Sequence, residues 1–260
     1  MIAATTFIGF GEAGSAFAGA ISAPLNAYDS KTDDPATRGA MRAVFADTRA
    51  AGHDSAAEAL AGARAVLSLV TASSALQAAS DCARFLAPGA LWIDMNSVAP
   101  DTKRRAAEVI EAAGGRYVDA AIMAPVQPAV LAVPVLLSGP HADDAATVLS
   151  VLGFSNIRIV GSDVGRASTI KMLRSVMVKG IEALTAEMVL AARSADVADE
   201  VLASLGEDWP QRAAYNLERM AMHGQRRADE MEEVAKTLEA LGVEPLMTHG
   251  TIVRQRGLAQ

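Results

Sequence analysis

A glycine-rich turn near the start of the chain constrains most strongly what this sequence can fold into. The apolar run Thr5–Ile8 is followed by Gly9-Phe10-Gly11-Glu12-Ala13-Gly14, and an apolar helical stretch comes next. Strand, G-x-G-x-x-G and helix in this order are typical of a dinucleotide-binding βαβ unit. The first glycine permits a sharp turn, the second admits the pyrophosphate, and the third lets helix and sheet approach. We therefore predict that these six residues bind a dinucleotide.

A single acidic residue, Asp29, ends the next apolar run, twenty positions beyond Gly9. In dinucleotide-binding units, an acid at this distance accepts hydrogen bonds from the adenosine ribose and repels a 2′-phosphate. The sequence therefore favours NAD as the cofactor. Lys31, together with Ser30 and Thr32, offers groups that could hold a 2′-phosphate, so NADP stays open as the alternative.

Composition narrows the classes of partner. The chain has 260 residues, enough for a full core and two domains, and a formal net charge of −7. Nucleic-acid binding rests on basic patches, so we expect small-molecule partners and no nucleic acid. The single cysteine, Cys82, excludes an internal disulfide, favours a reducing, cytoplasmic compartment and is expected to pack within a helix. Three of the four histidines have no acidic or cysteine partner at metal-binding spacing, so no metal site is expected.

Two apolar stretches resemble targeting or membrane segments. Met1–Ala27 lacks the basic start of a secretory signal, since no Lys or Arg precedes Lys31. Val118–Gly139 is about long enough to span a bilayer, but three prolines within it would break a helix. We interpret it as strand, loop and strand, and expect no membrane association.

The first 160 residues alternate short apolar runs with helical stretches, which is the pattern of βαβ units and a mostly parallel sheet. The predicted strands are Thr5–Ile8, Asn26–Tyr28, Ala65–Val70, Leu91–Asp94, Arg116–Asp119, Pro134–Ser138 and Asn156–Val160. The predicted helices between them are Ser73–Leu86, Thr102–Ala113 and Ala142–Leu152. This pattern predicts an α/β, doubly wound Rossmann domain.

After Gly165 the sequence becomes helical. Apolar residues recur at helical spacing over Ala167–Ser194, which predicts one long helix. Further helices are predicted over Asp199–Leu205, Gln211–Gly224, Arg226–Leu241 and Thr248–Arg256. We therefore expect a Rossmann domain over residues 1–163 and an all-helical C-terminal domain over residues 164–260. A long apolar helix in so small a domain needs a partner for its second face, so we expect a homodimer.

Ligands of open α/β sheets bind beyond the carboxyl ends of the strands, so the residues there are candidates. Val70 ends the third predicted strand and Thr71 follows it, and both are expected to line the cofactor. Asn96 and Ser97 follow the fourth strand, where an amide and a hydroxyl can hold a nicotinamide ribose or a substrate oxygen. The alternative is a helix cap provided by Ser97 or Asp101.

Lys171 indicates the type of reaction. Ser175 lies on the same side of the predicted long helix, and Arg174, a candidate for binding the substrate, lies on one flank, so this stripe is polar where a core helix is apolar. The helix leaves the cofactor domain directly, which places its first turns against the cleft. Burial and the like charge of Arg174 are expected to lower the pKa of Lys171 toward the operating pH, as proton transfer needs. A solvated surface lysine is the alternative.

Taken in this order, the motifs resemble the β-hydroxyacid dehydrogenase family, which includes 3-hydroxyisobutyrate and 6-phosphogluconate dehydrogenases. Besides the glycine motif, the residues that carry the resemblance are Asp94-Met95-Asn96-Ser97, Asp119-Ala120-Ala121 and Gly165 six positions before Lys171. The resemblance covers nearly the whole chain. It implies a Rossmann domain, a long helix, a helical dimerisation domain, and oxidation of a β-hydroxy acid or related alcohol with NAD or NADP.

The resemblance also implies roles for single residues. Lys171 matches the catalytic lysine, which takes the hydroxyl proton as general base and returns it as general acid. Asn96 and Ser97 match the Asn-Ser pair of the phosphogluconate branch. Together with Ser175 they are expected to position the substrate oxygens.

Two departures from the family pattern concern the substrate. Met123-Ala124-Pro125 replaces the Ser-Gly-Gly turn that binds substrate, and Ser175 replaces the asparagine four residues after the lysine. The change suggests a bulkier or more apolar substrate, or an anchor elsewhere, and it is similar to a poorly characterised phosphogluconate-dehydrogenase-like side branch. Two alternatives stay open, namely an imine or ketone reductase on the same scaffold and a cofactor-binding regulatory protein without turnover.

One helix face in the C-terminal domain offers a replacement anchor. His223, Arg226, Arg227 and Glu230 lie at i, i+3, i+4 and i+7, so one face carries them all. Arginine binds a carboxylate or phosphate through two parallel hydrogen bonds, which would restore what the altered turn lacks. A solvated, ion-paired helix face is the alternative.

Overall fold

The structure is a computed structural model that describes residues 4–258. Within this range, eight strands form one sheet in the order β3-β2-β1-β4-β5-β6-β7-β8. The strands are β1 (Thr5–Ile8), β2 (Leu25–Tyr28), β3 (Ala50–Gly52), β4 (Ala65–Ser68), β5 (Leu91–Asp94), β6 (Arg116–Ile122), β7 (Val135–Ser138) and β8 (Ile157–Gly161). The predicted fold class, a doubly wound and mostly parallel α/β sheet followed by helices, is confirmed.

The strand order reverses beside β1. Thr5 of β1 is opposite both Leu25 of β2 and Ala65 of β4, and these pairs are parallel. Ligands of doubly wound sheets bind in the crevice at such a reversal. The β6–β7 pair is antiparallel, with Asp119 opposite Ser138, and β8 is parallel to β7. The last two strands therefore run against the other six.

Helices cover both faces of the sheet. They are α1 (Glu12–Ala20), α2 (Pro35–Ala46), α3 (Ala56–Leu60), α4 (Ala75–Ala83), α5 (Pro100–Ala112) and α6 (Ala142–Val151). Ile93 of β5 belongs to the core that contains Phe17 of α1, whereas its neighbour Trp92 belongs to the core that contains Ile110 of α5. Because alternate strand residues are buried on opposite faces, the strands are continuously apolar in sequence.

The chain divides into two compact units between Lys171 and Met172. This division falls within α7 (Arg166–Ser194), and the second unit continues with α8 (Ala198–Leu205), α9 (Trp209–Ala240) and α10 (Leu246–Gly257). Met172, Met231, Val234 and Ile252 form the main core of the second unit. The domain boundary expected at residue 163 stays a prediction, because part of α7 belongs to each unit.

The main differences from the prediction are three additional elements, one helix that is not interrupted and one strand that ends early. Strand β3 and helices α2 and α3 form where no element is predicted. The predicted break at Gln225 is wrong, because α9 runs through Gly224, which is buried, and packing there overrides the low helix propensity of glycine. Strand β4 ends at Ser68 rather than Val70, since the Val70 N–H donates to the Asn96 side chain instead of a strand.

Two further expectations are met. The apolar run Val118–Gly139 forms the end of β6, a loop with one short 3₁₀ turn, and β7, as predicted. Cys82 is buried on α4, where its predicted packing role is confirmed. Among the helices of residues 4–258, none combines the length and the hydropathy that crossing a bilayer requires.

Candidate functional site

Two glycines shape the loop after β1. Gly9 has φ +87°, and a Cβ there would lie 2.4 Å from the Leu69 carbonyl oxygen. A Cβ on Gly14 would lie 2.7 Å from the Gly9 carbonyl oxygen. Both separations are too short for any side chain. The end of β1, the loop after β4 and the first turns of α1 are therefore held against one another at the switch point of the sheet.

Gly11 has a different environment. It is the N-cap residue of α1, and a Cβ there would meet no protein atom within 4 Å. The fold itself therefore does not require glycine at this position. The first N–H groups of a helix have no partner within the helix, and together with the helix dipole they attract an anion. The open space at Gly11 thus fits a dinucleotide pyrophosphate, which must approach the backbone with no side chain in between.

The other residues of this loop differ in exposure. Phe10 is buried in the core, Glu12 is exposed and Ala13 is half-buried in the first turn of α1. Phe10 contacts Phe45 of α2, with the ring centroids 5.0 Å apart. The aromatic side chain of Phe10 therefore anchors the loop to the core.

Asp29 is tied to the same loop. Its Oδ2 accepts a hydrogen bond from the Phe10 N–H (2.7 Å), and its Oδ1 accepts one from the Lys31 N–H (3.0 Å). Each oxygen keeps a further lone pair for a ribose hydroxyl. A carboxylate fixed beside the glycine loop fits the adenosine ribose and disfavours a 2′-phosphate. Lys31 is exposed.

Asn96 connects the loops after β4 and β5. Its Oδ1 accepts a hydrogen bond from the Val70 N–H (2.7 Å), and its Nδ2 donates to Ser68 Oγ (3.0 Å). The side chain is buried, whereas Thr71 is exposed. Asn96 therefore fixes the backbone of the loop that was predicted to line the cofactor. Its predicted contact with a ribose or substrate stays a prediction.

Lys171 and Ser97 lie together. Lys171 is in the second turn of α7, and its Nζ donates a hydrogen bond to Ser97 Oγ, beyond the carboxyl end of β5. Both residues are half-buried. The alternative prediction that Ser97 or Asp101 caps α5 is wrong, because the N-cap residue of α5 is Ala99. The structure thus brings together two side chains that are 74 residues apart in sequence and that were predicted separately.

A group of buried charges that no sequence motif predicted joins β5, β6 and α5. Lys103 Nζ lies 2.9 Å from Asp94 Oδ1 and 3.4 Å from Asp119 Oδ1, and none of these side chains is more than 1% exposed. The Tyr117 hydroxyl donates to Asp94 Oδ2 (2.7 Å). Burial, and then the charges of Asp94 and Asp119, raise the pKa of Tyr117 well above its usual value, so the phenol keeps its proton. The overlooked signal is a lysine on the buried face of α5, three residues before Ala106.

The turn Met123-Ala124-Pro125, which was predicted to bind substrate, follows β6. The Met123 N–H donates to the Pro134 carbonyl oxygen (2.9 Å), and proline has no N–H. Ala124 and Pro125 are exposed. Two of the three residues of this turn therefore have no backbone N–H to donate to a substrate carboxylate.

The second unit contains the helix face predicted as a replacement anchor. Arg227 is buried and its guanidinium donates to Glu182, which also accepts from Gln255 Nε2 (3.2 Å). Glu230 accepts a hydrogen bond from Lys179 Nζ (2.7 Å). The Arg227 guanidinium therefore has a carboxylate partner within its own unit. This agrees with the alternative prediction of an ion-paired helix face, but the pair is buried and not solvated.

The remaining predicted residues lie in several environments. Ser175 is buried, His223 is half-buried, and Arg174 and Arg226 are exposed. Their roles in binding a substrate stay predictions.

Two domain families match the chain. Residues 4–161 match the NAD binding domain of 6-phosphogluconate dehydrogenase, and residues 192–258 match a domain of unknown function (DUF1932). The first match covers more than half of the chain.

Solved structures resemble the chain over nearly its whole length. A conserved hypothetical protein from Sinorhizobium meliloti 1021 is 40% identical, with 98% of this chain and 88% of that chain covered and a TM-score of 0.77. The conserved protein MTH1747, of unknown function and similar in structure to 3-hydroxyacid dehydrogenases, is 31% identical (98% and 96% covered, TM-score 0.73). The 3-hydroxyisobutyrate dehydrogenase of Mycobacterium tuberculosis with L-serine is 19% identical (99% and 94% covered, TM-score 0.77) and shares the fold.

Proposed function

Because the chain belongs to the family of the NAD binding domain of 6-phosphogluconate dehydrogenase, we propose that it is an NAD(P)-dependent oxidoreductase acting on a β-hydroxy acid or related alcohol. NAD(P) is the cofactor of the first unit. The residues that would hold it are the glycine loop, Asp29 and the loop after β4. The observation that carries the proposal is the hydrogen bond between Lys171 and Ser97, beyond the carboxyl end of β5.

The chemistry follows from that hydrogen bond. When bound, the nicotinamide supplies the acceptor or donor of a hydride. In the oxidation direction, neutral Lys171 Nζ takes the proton of the substrate hydroxyl, and in reduction it returns that proton to the carbonyl oxygen. Ser97 Oγ accepts from Lys171 and keeps its own proton to donate to the same substrate oxygen. Asn96 holds the loops, and Ser175 is proposed to position a substrate oxygen.

The substrate class is suggested by the turn after β6. The Met123 N–H donates to the Pro134 carbonyl oxygen and Pro125 has no N–H, so a carboxylate would gain little there. L-Serine, found with the Mycobacterium tuberculosis enzyme, is itself a β-hydroxy acid. We propose a hydroxy acid or alcohol whose second polar group is held outside this turn.

NAD is proposed as the preferred form of the cofactor. The carboxylate of Asp29 is fixed by two backbone N–H groups, and its charge opposes a 2′-phosphate. Lys31 is the cation that would favour NADP instead.

The substitution Lys171→Met tests the mechanism. We expect NADH affinity within twofold of the original, and a kcat lower by about 10²–10⁴, the usual contribution of a general acid–base group. Lys236→Met, which removes a lysine from α9 in the second unit, is the matched control and is expected to keep full activity. Full turnover by Lys171→Met would exclude the proposed role.

Substrate panels separate the alternatives. The original protein and Lys171→Met are both assayed with β-hydroxy acids, simple alcohols, ketones and cyclic imines. Reduction of imines but no oxidation of hydroxy acids would favour an imine reductase. Tight NADH binding without turnover on any panel would favour a regulatory protein.

We also propose that the protein is a homodimer that pairs through α7. Leu173, Met177 and Leu184 are 41%, 64% and 63% exposed, whereas Lys179 and Glu182 on the same helix are each 5% exposed. The apolar face therefore points to solvent and the polar face to the core, which is unfavourable unless a second copy covers the apolar face. Light scattering should give twice the chain mass of 26.9 kDa, and Met177→Glu with Leu184→Glu should halve it. A monomer at micromolar concentration contradicts this proposal.

A further inference from the structure

We propose that Lys103 is a positioning residue for Lys171. Its buried ammonium lies between two carboxylates. Asp94 shapes the turn that contains Ser97, and Asp119 anchors the start of the helix that contains Lys171. The catalytic consequence of this inference rests on the proposed function, but the structural coupling does not.

The first half of the coupling is Asp94, the last residue of β5. Its Oδ1 accepts hydrogen bonds from the Asn96 N–H and from Lys103 Nζ, both at 2.9 Å. Lys103 Nζ also donates to the Asp94 carbonyl oxygen (2.6 Å), and Tyr117 donates to Oδ2 (2.7 Å). Every oxygen of Asp94 is thus held. These bonds direct the backbone into the turn that places Ser97 three residues later.

The second half is Asp119 of β6. Its Oδ2 accepts from the N–H groups of Gly165 (3.1 Å) and Ser168 (3.0 Å), and its Oδ1 accepts from Ser168 Oγ (2.6 Å). N–H groups at a helix start lack partners within the helix, and the dipole favours an anion there. Asp119 therefore caps α7 from the neighbouring strand. Lys171 follows Ser168 by three residues and lies on the same face one turn further along.

Lys103 is the group that makes the two halves compatible. Two carboxylates at this depth repel each other strongly, because the surroundings have a low dielectric constant. The ammonium lies 2.9 Å from one and 3.4 Å from the other, and it also donates to the Ala120 carbonyl oxygen (3.3 Å). The N–H groups at the start of α7 offset the remaining negative charge. Without the ammonium, Asp94 and Asp119 move apart, and the turn of Ser97 separates from the helix of Lys171.

The test compares the original protein with the variant Lys103→Met, which keeps about the same side-chain length and removes the charge. Crystal structures of both proteins are determined without cofactor and with saturating cofactor, and the kinetics of both are measured. We expect the separation of Lys171 Nζ and Ser97 Oγ to exceed about 3.5 Å, the limit of a hydrogen bond. We expect kcat to fall at least about tenfold while KM and the NADH dissociation constant stay within twofold, because the acid–base group is displaced and the binding loops are not.

Trp92→Phe is the matched control. Trp92 is buried on β5, two residues before Asp94, and its indole N–H has no hydrogen-bond partner among residues 4–258. This variant loses core packing, and it is expected to keep both the Lys171–Ser97 contact and kcat. An equal fall of kcat in Trp92→Phe and Lys103→Met would assign the effect to lost stability and overturn the proposal.

Ser168→Ala covers the case in which Lys103→Met does not fold. It removes one side-chain hydrogen bond from Asp119 and leaves all charges in place. We expect a smaller fall of kcat, about threefold, with unchanged KM. A Lys171–Ser97 contact that is retained in every folded variant refutes the coupling. Absence of turnover in the original protein refutes the proposed function and leaves the crystallographic comparison to decide the coupling.

Discussion

Glycine-to-alanine substitutions in the loop after β1 are expected to affect stability at one position and cofactor binding at another. At Gly14, an added Cβ would lie 2.7 Å from the Gly9 carbonyl oxygen, so the helix or loop must shift. Such overpacking costs about 1–3 kcal/mol. For a chain of this size, a loss of about 2 kcal/mol lowers Tm by about 4–8 °C. Gly14→Ala is therefore expected to lower Tm by that amount without any cofactor present.

Gly11→Ala should behave in the opposite way. Its Cβ meets nothing within 4 Å, and φ −75° suits alanine, so the change in stability should stay within about 1 kcal/mol. The same methyl group occupies the space proposed for the pyrophosphate, and we expect NADH affinity to fall at least about tenfold.

The assay is thermal unfolding of the cofactor-free protein, followed by a fluorescence titration with NADH. Gly19→Ala is the control, since Gly19 is exposed on α1 and its Cβ would also meet nothing within 4 Å. It should bind NADH normally and be more stable by up to about 1 kcal/mol. If Gly11→Ala binds NADH as tightly as the original, the pyrophosphate does not lie at this turn. If Gly14→Ala keeps the original Tm, the close approach does not constrain the fold.

Three further predictions follow from single side chains. Asp29→Ala should weaken NAD about tenfold more than NADP in fluorescence titrations, because a ribose acceptor and an opposing charge are lost together; equal effects would place Asp29 away from the ribose. Arg227→Met should lower the free energy of unfolding in urea by about 3–5 kcal/mol, since the buried Glu182 carboxylate loses its ion-pair partner and keeps only the neutral Gln255 amide, and the double variant with Glu182→Gln should recover part of that loss. Burial raises the pKa of Cys82 from its usual 9.0 to about 12, so the folded state holds this proton more tightly and stability should fall as pH rises from 9 to 12. Cys82→Ala should remove that part of the slope, and rapid alkylation of the native thiol at pH 9 would contradict the burial.

Strands with strong β-forming residues are predictable from the sequence, and elements that depend on neighbours are not. Strand β5 begins and ends where it was predicted, at Leu91 and Asp94. Strand β3 consists of Ala50, Ala51 and Gly52, which have low β propensity, and it exists because β2 offers it a pairing edge. The residues of β3 alone do not indicate that such a pairing edge exists.

The candidate site shows the same limit. The glycine motif and Asp29 are close in sequence and have fixed geometry, so they can be recognised one by one. Lys171 and Ser97 were each predicted to lie near the cleft, but their hydrogen bond to each other was not predicted. The role of Lys103 depends on carboxylates from two strands, and no spacing along the chain reveals it. A lysine on an otherwise apolar helix face was its one visible sign.

The capping of α7 by Asp119 has a consequence for how the sequence can change in length. Asp119 fixes the helix at Ser168, so the direction of Lys171 depends on the number of residues between them. Each residue of an α-helix turns the chain by about 100° and advances it by about 1.5 Å. One inserted or deleted residue in this interval would turn the lysine away from Ser97, whereas the same change at Ser162, directly after β8, would leave its direction intact. We therefore expect the protein to tolerate a change of length before this helix cap and not between the cap and Lys171.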